Sequence, residues 1–139
     1  MFAAFALVAC AMPQRAYEGP RRPLAAIASL YKMGDAYIVR VDGVTPYGYN
    51  ESDSNVVEMI PGARTLELAY FEFQTQQFQY EKYTSNSLCV LSINLEAGKK
   101  YSLLSARTDN NWNAWIVEGT SLRDVFDNEP PPKAIARCN

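Results

Sequence analysis

Three cysteines, Cys10, Cys89 and Cys138, are the residues that point most directly to chemistry in this chain of 139 residues. A thiol can be acylated, can form a disulfide or, as a thiolate, can act as a nucleophile. Nucleophilic Cys–His and Ser–His arrangements need an imidazole, and the sequence contains no histidine. We therefore expect these cysteines to serve in covalent attachment or cross-linking, and we do not expect an enzyme.

An apolar segment ends on the first cysteine. Leu7-Val8-Ala9-Cys10 resembles the bacterial lipobox, in which an aliphatic residue and two small or aliphatic residues precede a cysteine that is diacylated and becomes the new N-terminus. A short apolar run that ends at small residues is typical of a signal peptide rather than of a membrane span. The resemblance implies that residues 1–9 belong to a signal peptide and that Cys10 carries the lipid, with palmitate as the label that would report it.

The opening residues depart from the lipoprotein pattern in one respect, because MFAAFALVA contains no Lys or Arg. Signal peptides ordinarily begin with positive charge, so we expect the true start codon to lie upstream. The alternative is an apolar N-terminal strand or helix with an incidental cysteine. The polar, Pro-rich residues 10–23 favour the lipoprotein, since they predict a flexible tether between the lipid and a domain at 24–139. Ala11 in place of Asp implies, by resemblance to enterobacterial sorting, the periplasmic face of the outer membrane.

Two cysteines remain once Cys10 is assigned to the lipid. In an oxidising compartment an even pair of cysteines predicts a disulfide. Cys89 lies in a strand-like segment and Cys138 is the penultimate residue, so the bond would fasten the C-terminal tail to the sheet. The alternative is two unpaired thiols, one of them in the core.

Period-two alternation dominates the chain from about residue 24 and predicts β-strands with one buried face each. The sets expected to share a face are Tyr37, Val39 and Val41; Leu66, Leu68 and Tyr70; and Cys89, Leu91, Ile93 and Leu95. Strands at this spacing predict an all-β fold, either an antiparallel β-sandwich or a small barrel, with an extended N-terminal tether and a Pro-rich C-terminal tail.

Turn residues separate these strands. Pro61-Gly62 predicts a turn, and Ala97-Gly98-Lys99-Lys100 predicts a hairpin turn between two neighbouring strands. The segment NAWIVE is the last clear strand, and the alternation around it places one of Trp112 and Trp115 on the surface and the other in the core.

The order of strands and turns resembles the PEGA-type surface module over residues 24 to 118. Val41-Asp42-Gly43, Thr45-Pro46 and Pro61-Gly62 carry the match, with Arg64 where that module usually has His or Lys. A similar layout, with a Gly-Lys-Lys-Tyr strand entry at 98–101 and a later Trp strand, occurs in uncharacterised proteobacterial lipoproteins. The resemblance implies a small β-sandwich unit in the cell envelope and transfers no catalytic residue.

Charge and composition argue against several kinds of partner. The chain has 13 Lys and Arg residues against 15 Asp and Glu, a net charge of -2, whereas a nucleic-acid-binding domain needs a basic face. Oxygen ligands near Glu51, Asp53 and Asp109 lack the glycine-centred spacing of a calcium loop. We therefore expect no nucleic acid, no metal and no cofactor.

Aromatic residues are concentrated in a polar, Gln-rich stretch at 70–83. If Leu66 and Leu68 face inward, the same strand must turn Phe71 and Phe73 outward. Either the chain's own loops or tail cover these rings, or they form a surface for a partner. The residues expected to form such a surface are Phe71, Phe73, Phe78 and Tyr80.

These observations together predict a lipid-anchored β-domain of the cell envelope that binds or scaffolds another envelope component without catalysis. The alternative is an inhibitor or accessory lipoprotein of an envelope enzyme or secretion machine. An inhibitor should present a protruding loop with a basic residue or a serine, for which the sequence GKKY at 98–101 is a weak candidate.

Overall fold

A computed structural model describes residues 13–47, 55–76, 79–84, 88–108, 111–120 and 134–138, with the backbone alone at 72–76, 79–84 and 108. Within these ranges the chain forms strands and a single 3-10 turn at Leu24–Ala26, without an α-helix. The strands are β1 Gln14–Arg15, β2 Ala28–Lys32, β3 Ala36–Val41, β4 Val56–Met59, β5 Gly62–Gln76, β6 Gln79–Thr84, β7 Cys89–Leu95, β8 Lys100–Thr108, β9 Asn111–Glu118 and β10 Ala136–Arg137.

The strands form two sheets. The first has six strands in the order β1-β4-β2-β8-β9-β10, with β1 parallel to β4 and β2 parallel to β8. The second has four strands arranged around β5, which pairs with β3 along one edge and with β7 and then β6 along the other. Neither sheet closes into a barrel within the described residues. The mixed pairing requires connections between sheets as well as hairpins.

One hydrophobic core lies between the two sheets. Buried side chains from both sheets contribute to it, among them Leu30, Met59, Leu103 and Ile116 of the six-stranded sheet and Ile38, Leu66, Leu68, Tyr70, Leu91 and Ile93 of the four-stranded sheet. Two sheets that bury their facing surfaces against each other form a sandwich. The expected all-β, sandwich-like fold is confirmed.

β5 is the longest of these strands, and along one edge it pairs with two separate strands, β7 and then β6. Leu68 pairs with Cys89 and Phe71 pairs with Thr84, so the stretch of sequence between these partners is longer on the side of β6 and β7 than on β5. β5 therefore continues past the end of β7 and forms a separate hairpin with β6, which contains most of the aromatic stretch.

The expected inward faces are confirmed for β5 and β7 but not for β3. Leu66, Leu68 and Tyr70 are buried, as are Leu91, Ile93 and Leu95, with Cys89 half-buried beside them. In β3, Ile38 and Val41 are buried while Tyr37 and Val39 are only half-buried. The pairing with β5 shifts register between Ile38 and Arg40. This bulge at Val39 adds one residue and reverses the alternation of the strand.

The Ala97–Lys100 turn was expected to join two hairpin strands, and this expectation is wrong. β7 belongs to the four-stranded sheet and β8 to the six-stranded sheet, so the turn carries the chain across the core. Gly98 has a positive φ of 76° and its N–H donates to the carbonyl of Ile27 at 2.8 Å. β8 then pairs parallel with β2 and antiparallel with β9.

The two tryptophans do not divide into one surface and one core residue. Trp115 is fully buried with Leu104 and Val117 in a second, smaller cluster on the face of the six-stranded sheet that points away from the main core. Trp112 is half-buried against the main core, with its ring centroid 5.5 Å from that of Tyr70. Since 112 and 115 differ by an odd number, alternation places the rings on opposite faces of β9, and both faces are covered there.

Residues 13–23 were expected to be a flexible tether, and the structure corrects this. Gln14 and Arg15 form β1 on the edge of β4, and the Ala16 N–H donates to the carbonyl of Glu58 at 2.8 Å. The Tyr17 side chain is only 5% exposed. The folded domain therefore begins at or before Pro13, because this segment completes the six-stranded sheet. Residues 1–12, which include Cys10, lie outside the described residues.

A disulfide joins Cys89 at the start of β7 to Cys138 just after β10, as expected. The two Cα atoms are 5.8 Å apart, across a sequence separation of 49 residues. The Cys138 N–H also donates to the carbonyl of Ala114 at 2.8 Å. The C-terminal residues are thus held to both sheets, because β10 pairs with β9 while the disulfide reaches β7.

Replacing both Cys89 and Cys138 by Ser should lower the free energy of unfolding by about 4 kcal/mol, the chain-entropy contribution of a cross-link that closes a loop of this length. Urea unfolding monitored by tryptophan fluorescence measures this difference. Dithiothreitol should destabilise the parent protein to the same extent and leave the double variant unchanged. Equal stability of parent and variant in the absence of reductant would contradict this role.

Candidate functional site

Of the four residues expected to form a partner surface, the structure describes one side chain and the backbone of two others. Phe71 is 42% exposed on β5. Phe73 and Tyr80 lie in the β5–β6 hairpin, where their backbones pair with Lys82 and Thr75, and their side chains lie outside the described residues. Phe78 lies outside them entirely. Of the four aromatic side chains, Phe71 is the one that the structure places at the surface.

Two further apolar side chains are exposed in the four-stranded sheet that contains Phe71. Val90 on β7 is 61% exposed and Leu88, immediately before β7, is 45% exposed. Both alternate with the half-buried Cys89, so they point away from the core. We call Phe71, Leu88 and Val90 the outer patch. It lies on the face of the four-stranded sheet opposite the shared core.

The backbone register fixes the surroundings of the outer patch. Val90 lies directly opposite Glu67, which in turn lies opposite Arg40. Arg40 Nη1 contacts Glu67 Oε2 at 3.3 Å in an exposed ion pair. Ala69, between Glu67 and Phe71 on the same face, is only 5% exposed. The outer patch is therefore apolar at its centre and bordered by a charged pair, the composition expected of the core and rim of an interface.

Sequence reasoning identified Phe71 but missed Leu88 and Val90. The signal was present, because the alternation that buries Cys89, Leu91 and Ile93 must turn the residues between them outward. Among those outward residues, Ser92 and Asn94 are polar and Val90 is not. An apolar residue at an outward position of an otherwise alternating strand is the feature that could have located this part of the patch.

A second surface feature lies where the N-terminal segment meets the end of β3. Val41 and Val44 exchange backbone hydrogen bonds across a turn in which Asp42 and Gly43 both have positive φ, 50° and 80°. This geometry explains the Asp-Gly pair, since two consecutive positive φ values define a type I′ turn. A cleft of about 150 Å³ lies between this turn and the N-terminal segment, lined by Ala16, Tyr17, Glu18, Val41, Asp42, Val44, Thr45 and Tyr47.

Tyrosines and arginines surround this cleft. The Arg15 guanidinium lies 5.7 Å from the centroid of the Tyr47 ring, and Arg22 lies 5.6 Å from that of Tyr17. The Arg22 N–H donates to the Tyr17 hydroxyl at 3.2 Å. At about 150 Å³ the cleft is smaller than the pockets that usually enclose a small-molecule ligand. Its aromatic walls instead hold the N-terminal segment on the domain.

An ion pair fastens the same segment to the six-stranded sheet. Arg21 Nη1 contacts Glu58 Oε1 at 2.9 Å, and the Glu58 side chain is only 7% exposed. Arg21 Nη2 also donates to the carbonyl of Pro13 at 2.6 Å. Among the described residues, Arg21 is thus the charged partner of the buried Glu58 carboxylate.

The GKKY segment, the weak candidate for an inhibitory loop, is occupied by contacts within the domain. Lys99 Nζ bonds to the carboxylates of Glu96 and Glu118, and these hydrogen bonds, that to Glu96 first, raise the pKa of Lys99 above its ordinary value. The Tyr101 side chain is buried, and its hydroxyl accepts a hydrogen bond from the Glu96 N–H at 2.9 Å. Lys99 and Tyr101 of this segment therefore stabilise the crossing between the sheets.

Comparisons with protein-family models, with curated proteins and with solved structures find no match to this chain. In the part of the chain that the structure describes, no helix is long and apolar enough to cross a membrane. The same residues contain no group of three or more His, Cys, Asp or Glu side chains placed to hold a metal ion.

Arg21→Gln should lower the free energy of unfolding by about 2 kcal/mol, because it leaves the Glu58 carboxylate buried without its charged partner. Arg22→Gln is the matched control, since Arg22 is adjacent, exposed and without an ion pair among the described residues. Adding Glu58→Gln to Arg21→Gln should recover part of the loss. Urea unfolding curves that show the same stability for Arg21→Gln and Arg22→Gln would contradict the structural role of this pair.

Proposed function

We propose that this protein is a lipid-anchored β-domain of the cell envelope that binds another envelope protein, without catalysis, through the outer patch. The observation that carries the binding role is the exposure of Phe71, Leu88 and Val90 on one sheet face. Exposed apolar clusters are costly to keep in water and mark surfaces that bind partners. Aromatic residues are the usual anchors of such surfaces.

The anchor rests on the sequence, since Leu7-Val8-Ala9-Cys10 has the residue types that lipoprotein processing requires. The pairing of the other two cysteines supports it, because structural disulfides form and persist in oxidising compartments outside the cytoplasm. Because Cys89 and Cys138 are joined in the disulfide, Cys10 is the remaining cysteine that a lipid could modify.

With an intact signal peptide ahead of residue 10, cells should incorporate labelled palmitate into the protein, and Cys10→Ser should abolish the label. Acylation forms a covalent bond at this thiol, so the Ser variant loses the site itself. Radiolabelling followed by immunoprecipitation measures the incorporation. The Cys89→Ser, Cys138→Ser double variant serves as the control and should remain labelled. Persistent labelling of the Cys10→Ser variant would contradict the anchor.

A photoreactive amino acid at position 90 should give a discrete cross-linked protein adduct in the intact envelope, and Phe71→Ser should remove it. Position 135 is the matched control, because Ile135 is 48% exposed but lies beside β10 in the other sheet. Phe71→Ser should lower the free energy of unfolding by less than about 1 kcal/mol, as expected for an exposed strand position. Immunoblots and urea unfolding report the two quantities.

Equal adducts from positions 90 and 135 would contradict a specific partner surface. A loss of several kcal/mol in Phe71→Ser would instead make Phe71 a core residue. Incubation of the purified protein with cell-wall hydrolases distinguishes the alternative, since an inhibitor would reduce their activity and a scaffolding protein would not.

A further inference from the structure

The distance between the lipidated cysteine and the folded domain is short. Ala11 and Met12 separate Cys10 from Pro13, and three Cα–Cα steps span at most about 11 Å. The headgroup region on each side of a bilayer is about 5–7 Å thick. With its acyl chains in the bilayer, Cys10 would therefore hold Pro13 and its neighbours at or just above the headgroups.

The N-terminal segment carries the opposite charge to the rest of the chain. Residues 13–22 contain three arginines and one glutamate, a charge of +2, in a chain whose net charge is -2. Every other residue together therefore contributes -4. The positive end of the molecule is the end that the anchor brings to the membrane, and anionic phospholipids attract such a segment.

Two of these arginines are available to a membrane. Arg21 is paired with Glu58, whereas neither Arg15 nor Arg22 forms an ion pair within the described part of the chain. Each instead lies over a tyrosine ring, at 5.7 Å and 5.6 Å. Arginine and tyrosine together are the residue types favoured at a membrane–water interface.

Exposed apolar groups lie beside these arginines. Val44, at the end of the Asp42-Gly43 turn, is 60% exposed and Tyr47 is 42% exposed. Tyr47 exchanges backbone hydrogen bonds with Arg15, at 3.2 and 2.8 Å. We call Arg15, Arg22, Val44 and Tyr47 the N-terminal face.

Two carboxylates in the same region are already partnered. The Tyr47 hydroxyl donates to Glu18 at 3.3 Å, and Arg64 contacts Asp42 at 3.0 Å. Asp42 is therefore offset by the charge of Arg64, whereas Glu18 keeps its negative charge, which is already included in the charge of +2 for residues 13–22.

We infer that the N-terminal face docks on the anionic phospholipid surface to which Cys10 is attached. The inference rests on the proposed lipid anchor. Docking fixes the orientation of the domain, with Val44 and Tyr47 among the headgroups and β10, at the opposite edge of the six-stranded sheet, away from them. Five strand spacings separate β1 from β10, or about 24 Å along the sheet.

Nitroxide labels at Val44→Cys and at Ile135→Cys, in separate variants of the full lipidated chain, test this orientation. Cys10 is acylated and the other two cysteines are joined, so the introduced thiol is the one labelled. The protein is placed in vesicles of phosphatidylcholine with about one third phosphatidylglycerol, in which the negative surface attracts basic segments. Electron paramagnetic resonance then compares collisions of each label with oxygen and with a water-soluble nickel complex.

The label at position 44 should collide more with oxygen and less with nickel than the label at position 135. In vesicles of phosphatidylcholine alone, the label at position 44 should become as accessible to the nickel complex as the label at position 135. Arg15→Gln and Arg22→Gln should each lower the ratio of docked to undocked protein about fivefold. Arg137→Gln, which removes an exposed arginine on β10 at the opposite edge of the sheet, should leave that ratio unchanged.

Equal nickel accessibility at positions 44 and 135, in protein that floats with the vesicles, would overturn the docking and leave the anchor intact. Protein that does not float would contradict the anchor and the docking together. Shielding of position 44 in outer-membrane fragments but not in vesicles would mean that a protein occupies this face, and would also overturn the inference.

Discussion

The alternation of β5 is the constraint on which the rest of the molecule depends. This strand lies inside the four-stranded sheet, with β3 on one side and β7 and β6 on the other. It places Leu66, Leu68 and Tyr70 in the core shared with the six-stranded sheet. A strand that buries its even-numbered residues cannot also bury its odd-numbered ones on the same side. The outward direction of Phe71 follows from the burial of Leu68 and Tyr70, and a binding surface would justify leaving its ring exposed.

The N-terminal segment imposes the second constraint. By pairing with β4 and placing Arg21 on the buried Glu58, it brings the folded domain to within three residues of Cys10. With the proposed lipid on Cys10, a domain held so closely would have little freedom to rotate above a membrane. The outer patch and the N-terminal face lie on different parts of the surface. We therefore propose that the outer patch binds a protein partner and that the N-terminal face contacts lipid.

The fold could be predicted from the sequence where the signals are local. Alternation over β5 and β7 gave the correct inward faces, and the pairing of Cys89 with Cys138 followed from there being two cysteines besides Cys10. The bulge at Val39 could not be seen, because one extra residue leaves no mark in the composition of a strand. The residues of the Ala97–Lys100 turn suit a hairpin within one sheet as well as a connection between two sheets, so they do not reveal which connection forms. β1 was mistaken for a tether because its pairing with β4 is long-range and its two residues are polar.

The central claim is that the outer patch is uncovered in the isolated protein and covered in the envelope. The rate at which a water-soluble maleimide modifies Val90→Cys measures this directly when it is compared between purified protein and intact outer membrane. The account predicts fast modification of the purified protein and much slower modification in the membrane, with Ile135→Cys equally reactive in both. Equal rates at position 90 in the two preparations would contradict it.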